Sequence, residues 1–202
     1  MKIAILGTGT VATSLATALA GTHEITFGSR DAGATVDLAG TTTASHADAV
    51  AWSDLVINAT PGGASLDLLR EIGAETLGNR VLLDVANATD ASFNLVYPND
   101  SLARHIQEEF PAVRVVKSLN TMNTSVMTNP SVIAPTTVFL SGNDADAKAT
   151  VSALLEDIGW TKDTQLDLGD IATARAPEHY FFMFFATLQA LGTPVFNVAV
   201  TK

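Results

Sequence analysis

The chain has 202 residues, is 47% hydrophobic and carries a formal net charge of −10. An acidic chain of this kind is repelled by nucleic acid and by anionic membrane surfaces, so neither is an expected partner. It has no cysteine, which excludes disulfides, thiolate catalysis and Cys-ligated metal centres, and fits a reducing cytoplasm.

The length is that of one domain, spanning 1–202. Lys2-Ile3-Ala4-Ile5-Leu6 is an apolar run of strand length and leaves no room ahead of it for a signal peptide. It breaks into Gly7-Thr8-Gly9-Thr10-Val11-Ala12, and Thr13 to Ala20 reads as a helix whose start lies near Thr10. Strand, glycine turn, helix and a second strand from His23 to Phe27 form the opening unit of a dinucleotide-binding fold. Gly7 permits the tight turn, Gly9 lets the backbone approach a pyrophosphate, and Ala12 keeps the helix close to the sheet. The free N–H groups of that helix face the diphosphate, so Gly7, Thr8, Gly9, Thr10 and Val11 are expected to bind it.

The end of the second strand selects the nucleotide. An NAD site places Asp or Glu about 20 residues past the glycines, to accept from the ribose 2′-hydroxyl. Here Ser29 and Arg30 come first, a hydroxyl and a guanidinium suited to a 2′-phosphate. Asp31, next in line, is the alternative: it can pair with Arg30 or serve NAD. NADP is favoured over NAD.

Asp31 to Gly40 reads as a loop or weak helix, Thr41 to Ala44 as a short strand at a sheet edge, and Ser45 as the cap of a helix through Val50. Asp54 to Ala59 is a buried fourth strand. It ends in Thr60-Pro61-Gly62-Gly63, and the helix Ala64 to Ile72 follows. Thr60 and Pro61 leave a strand's carboxyl end beside the glycine turn, where open α/β sheets bind ligands. Arg80 to Val85 is a fifth strand leading to Asn87, whose amide either bonds a nicotinamide carboxamide or holds a loop. Ala91 to Asp100 is a long loop, Ser101 caps the helix Leu102 to Phe110, and Val113 to Leu119 is a sixth strand. Asn120 and Thr121 follow at another carboxyl end. Residues 1–122 thus form a dinucleotide-binding core.

Residues 123–202 extend it. Val138 to Leu140 is a seventh strand, Asp144 caps a helix from Ala145 to Ile158 that Gly159 closes, and Gln165 to Leu168 is an eighth strand. The direction of the last two strands is open. A helix rich in Phe runs from Tyr180 to Leu191, with Pro177 in its first turn. Apolar on all sides, it is expected to be buried, either between the sheet and a partner subunit or along a pocket, with a homodimer the favoured reading.

No nucleophile motif is present, and the four histidines lack metal-ligand spacing. His23, His46 and His105 read as surface residues, and His179 as the one to inspect near a pocket. No catalytic side chain and no metal is therefore assigned; hydride transfer needs neither, because the cofactor supplies the reactivity.

The chain resembles the coenzyme F420-dependent NADP oxidoreductases over nearly its whole length. The resemblance rests on Gly7-Thr8-Gly9-Thr10-Val11, on Gly28-Ser29-Arg30-Asp31 and on Val115 to Thr121. It continues in Ser141-Gly142-Asn143-Asp144 and in Leu168-Gly169-Asp170 with Ala174-Arg175 and Glu178. It implies NADP contacts at Thr8 to Val11 and at Ser29 and Arg30. The family often adds a Lys soon after the Ser-Arg pair; Ala32 to Val36 holds no basic residue here. It further implies F420 or a flavin as second substrate. The fold expected is a single Rossmann-type doubly wound α/β sheet, order 3-2-1-4-5-6 extended by two strands, with the C-terminal aromatic helix packed across it. The function expected is hydride transfer between NADP(H) and a deazaflavin or flavin-like acceptor. The alternatives are a non-catalytic NADP(H)-sensing module and a small imine or ketone reductase.

Overall fold

The computed structural model describes residues 1–31, 33 and 36–201. Part of the segment expected as a loop or weak helix, at 32, 34 and 35, lies outside the described residues; the described remainder holds no helix.

Eight strands form one sheet in the order β3-β2-β1-β4-β5-β6-β7-β8. They are β1 (Lys2–Leu6), β2 (Glu24–Ser29), β3 (Thr41–Ser45), β4 (Leu55–Asn58), β5 (Val81–Asp84), β6 (Arg114–Ser118), β7 (Val138–Gly142) and β8 (Gln165–Asp167). The first six run parallel, as strands joined by crossovers must. The expected strand order is found, with boundaries shifted by a residue or two.

Because alternate residues point to opposite faces, β1 divides its apolar run between two cores. Ile3 and Ile5 face α1 (Thr10–Leu19) and α7 (Ala145–Asp157), where Leu15, Leu19, Val151 and Leu154 are buried with them. Ala4 and Leu6 face the other side, shared with Val50 of α2 (His46–Trp52), Leu69 of α3 (Gly62–Ile72) and Leu77 of the short α4 (Ala74–Leu77). Ile106 of α5 (Leu102–Glu109) completes that face. Ser45, Ser101 and Asp144 cap α2, α5 and α7 as expected, each side chain accepting from a first-turn N–H.

The two strands left open in direction are now placed. β7 is antiparallel to β6. The chain between them makes only a four-residue helix, α6 (Thr124–Met127), and a 3-10 turn at Pro130–Val132, too little for a covering crossover. β8 is parallel to β7, with α7 between them.

The C-terminal helix differs from expectation. Pro177 belongs to a separate short helix, α8 (Arg175–His179), and α9 starts afresh at Phe181 and ends at Leu191. No residue of α9 is buried, so it does not pack across the sheet. Phe181, Phe184 and Leu188 lie on its partly covered side, with Phe184 stacked on Phe196 of the returning tail at 5.0 Å. Phe182 and Met183 stay 55% and 60% exposed. The sheet face that α9 was expected to cover is already filled by α5 and a 3-10 turn at Ile171–Ala174.

Candidate functional site

The site is built at the carboxyl ends of the central strands. Gly7 has φ +102, and a Cβ there would stand 3.0 Å from the Ala59 carbonyl oxygen, so only glycine lets β1 turn beneath the loop leaving β4. Gly9 is the N-cap of α1 in extended conformation, and no side chain caps the helix. A Cβ on Gly9 would meet nothing within 4 Å. The first-turn N–H groups of α1 thus open on empty, exposed space flanked by Thr8 and Thr10. Exposed, uncapped N–H groups at a helix start are the setting in which a phosphate binds, and Val11 beside them is half-buried.

Ser29 ends β2 and pairs in register with Ser45 of β3. Its hydroxyl accepts from the Asp31 N–H at 3.2 Å, while an Asp31 carboxylate oxygen accepts from Gly33 N–H at 2.9 Å. Asp31 is thereby turned into its own loop. Among the described residues no ion pair engages Arg30, which is exposed. The donor set at this end fits a 2′-phosphate, and one oxygen of the carboxylate that would favour NAD is bonded within its own loop.

Under the other strands lies a polar row that sequence reasoning missed. Asn58, Asp84 and Lys117 are register partners on β4, β5 and β6, all on one face and all buried. Lys117 Nζ donates to Asp84 Oδ2 at 2.9 Å, to the Ala86 carbonyl and to Glu178 Oε1, 3.0 Å away. Asp84 Oδ1 accepts from Asn58 Nδ2 at 2.9 Å and Ala86 N–H at 3.2 Å. The two oxygens of Glu178 also accept from Leu102 and Ala103 N–H at 2.9 and 3.2 Å, at the start of α5. Burial alone would lower the Lys117 pKa, but Asp84 and Glu178 outweigh it and hold the ammonium above its ordinary value. Burial pushes the Glu178 carboxyl up, against the pull of Lys117. The signal available in the sequence was one ionic residue at the end of each of two apolar strands, and one acid amid the apolar tail.

This row reaches the mouth. Thr60 Oγ1 donates to Asn58 Oδ1 at 2.6 Å and bonds Ser65 Oγ at 2.9 Å, so its hydroxyl points into the row while Pro61 is exposed. Asn87 takes the loop-holding option of its two. Its Nδ2 donates to the Asn120 carbonyl at 2.8 Å and its Oδ1 accepts from Asn120 Nδ2 at 2.9 Å. Leu119, just before, is held at φ 64, strained for a bulky residue, and Asn120 and Thr121 are buried. Gly62 fits under this loop because a Cβ there would lie 2.3 Å from the Asn87 carbonyl oxygen.

The long loop after β5 is a tight turn around Asp90, whose carboxylate accepts from Ser92 and Asn94 N–H at 2.8 and 2.9 Å. It displays Phe93, 63% exposed, against Phe181 and Phe185 of α9 at 6.5 and 6.0 Å. His23 is not a free surface residue: its side chain is 7% exposed and pairs with Asp157 at 2.9 Å. His46 is half-buried, and His105 stacks on Tyr97 at 4.2 Å. His179 Nε2 contacts the Asp100 carbonyl at 3.2 Å. Among the described residues no group of three His, Cys, Asp or Glu could hold a metal ion. No helix among them is long and apolar enough to cross a membrane.

Comparison with known proteins adds to this. Residues 2–88 match the family described as NADP oxidoreductase, coenzyme F420-dependent. A structure from Arthrobacter sp. FB24, provisionally assigned as an F420-dependent NADP-reductase, is 43% identical over 100% of both chains, with a TM-score of 0.93. Metalloreductase STEAP3 of Rattus norvegicus is 32% identical over 184 residues, 88% of this chain and 36% of that one. The chain therefore spans about a third of that curated relative. The NADP+ complex of an imine reductase from Myxococcus stipitatus superposes with a TM-score of 0.70 at 21% identity, covering 95% of this chain and 65% of the other. At that identity it shares the fold.

Proposed function

The chain belongs to the coenzyme F420-dependent NADP oxidoreductase family, and from that premise we propose that this NADP-dependent oxidoreductase exchanges hydride with a deazaflavin or flavin-like ring. The observation that carries the NADP reading is the pairing of an uncapped α1 N-terminus over the open Gly9 with an exposed Arg30 that no ion pair among the described residues engages, beside an Asp31 bonded to Gly33 N–H. The N–H groups of Thr10 and Val11 would take the diphosphate, and Ser29 and Arg30 the 2′-phosphate. NADP(H), when bound, supplies or takes the hydride at its nicotinamide ring. The chain's own part is to bind, orient and exclude water. Thr60, Pro61, Asn87, Asn120 and Thr121 border the mouth where the nicotinamide and acceptor rings would meet, and the Asn87–Asn120 pair keeps two of those loops in one relative position.

The family description and the exposed rings of Phe93 and Phe185, in contact at the loop that leaves β5, support a planar aromatic acceptor. We further propose a homodimer through the outward side of α9, and a cytoplasmic setting in keeping with the absence of cysteine. The test is NADPH oxidation against a panel of F420, FMN, FAD, small carbonyls and imines. Turnover with F420 or a flavin is expected. Turnover with an imine or ketone alone would replace the ring acceptor, and tight NADPH binding with no turnover would favour a sensing module.

A further inference from the structure

We propose that His46 is a second, proton-dependent ligand of the 2′-phosphate beside Ser29 and Arg30, so that preference for NADP over NAD strengthens as pH falls. The inference rests on the NADP reading of the glycine turn and Arg30. Ser29 and Ser45 are register partners on β2 and β3, and Arg30 and His46 each follow directly on that pair. The imidazole lies over Gly28: a Cβ there would stand 3.1 Å from His46 Cδ2 and 3.3 Å from its Cα. Glycine at 28 is what lets the ring sit at the end of β2.

Two cation-capable side chains thus share one corner of a chain with a net charge of −10, and no hydrogen bond or ion pair among the described residues engages either. Two of the acids nearby are engaged in hydrogen bonds of their own. Asp48 on α2 accepts from the Ser45 hydroxyl at 2.6 Å and Asp31 from Gly33 N–H. Glu71 of α3 and Arg30 are the charges that reach the ring. A proton on the ring beside Arg30 costs free energy unless an anion joins the two cations. The corner also lacks the Lys that its family often carries just after the Ser-Arg pair, and His46 supplies a cation from the neighbouring strand end instead.

Burial, opposed by Glu71 and aided by Arg30, lowers the His46 pKa below its ordinary 6.5, so the ring is neutral at pH 7 in the free protein. A phosphate dianion at Arg30 reverses that balance, and binding takes up a proton at His46.

The experiment measures NADPH and NADH dissociation constants by calorimetry at about pH 8 and about pH 6, for wild type and for His46→Gln, His46→Lys and Arg30→Ala. At the lower pH His46→Gln should weaken NADPH by about tenfold, the value of one charge-assisted bond, and leave NADH unchanged. His46→Lys should hold the NADPH/NADH preference high at both pH values. From about pH 6 to about pH 8 the wild-type preference should fall relative to that of His46→Gln, whose own pH dependence reports the phosphate's titration and removes it from the comparison. If His46→Gln weakens both nucleotides equally, or neither, while Arg30→Ala selectively weakens NADPH, His46 is no phosphate ligand. If Arg30→Ala also has no selective effect, the placement of NADP at this corner fails and the inference falls with it.

Discussion

All three N–H bonds of the Lys117 ammonium end on buried acceptors, from Asp84, Ala86 and Glu178. Truncation therefore leaves two buried carboxylates without their counter-charge. Lys117→Met should cost about 3–5 kcal/mol of stability, read as a lower urea midpoint, and an unchanged midpoint would mean the cluster holds nothing together. Side chains at this scale were unevenly legible. The places of Gly7, Gly9, Ser29 and Arg30 in the fold could be read because they are local, set by a turn and a strand end. Asp84, Lys117 and Glu178 could not, since their meeting depends on the β5–β6 register and on where α8 docks. His46 escaped for the same reason: its neighbour Gly28 lies on the adjoining strand.

Among the longer helices flanking the sheet, α2, α5 and α7 are closed by a serine or aspartate, whereas α1 and α3 are left without a side-chain cap. Against glycine an N-cap side chain is worth only a few tenths of a kcal/mol, so α1 gives up little stability in keeping its first turn open. Gly9 lies at φ −79 with open space around it, which makes a sharp prediction. Gly9→Val should leave circular dichroism and melting temperature close to wild type while abolishing NADPH binding, because the added side chain fills that open space and not the core. A variant that still binds would place the phosphates elsewhere. Caps and parallel strands were readable from Ser45, Ser101 and Asp144 and from the apolar runs. The break between α8 and α9 was not, because a run of aromatics gives no sign of where one helix yields to the next, and the antiparallel β7 has no local signature.

For the whole molecule, the outward side of α9 is an apolar surface that nothing among the described residues covers. Phe182, Met183 and Phe185 are 55%, 60% and 38% exposed, and soluble monomers rarely display such a contiguous patch. A two-fold copy of the same helix is the simplest cover. Equilibrium sedimentation should then report twice the 21.1 kDa chain mass. Phe182→Asp should return it to one chain mass, since this ring faces outward while Phe184 is engaged with Phe196. A wild-type protein sedimenting as a single chain would refute the dimer. The sequence foretold an apolar helix seeking cover; which rings face outward became visible only with the returning tail in place.

The sheet also sets which way the protein would face on a support. Met1 stands at the amino end of β1, a strand's length, about 17 Å, from the turn at Gly7. The tail returns to the opposite edge, where Thr137 N–H donates to the Val198 carbonyl just before β7 begins beside the end of β6. Anchoring through the first residue would therefore turn the mouth toward solution, free to meet a soluble acceptor or an electrode-borne mediator. Anchoring through the last residues would turn the same mouth toward the surface.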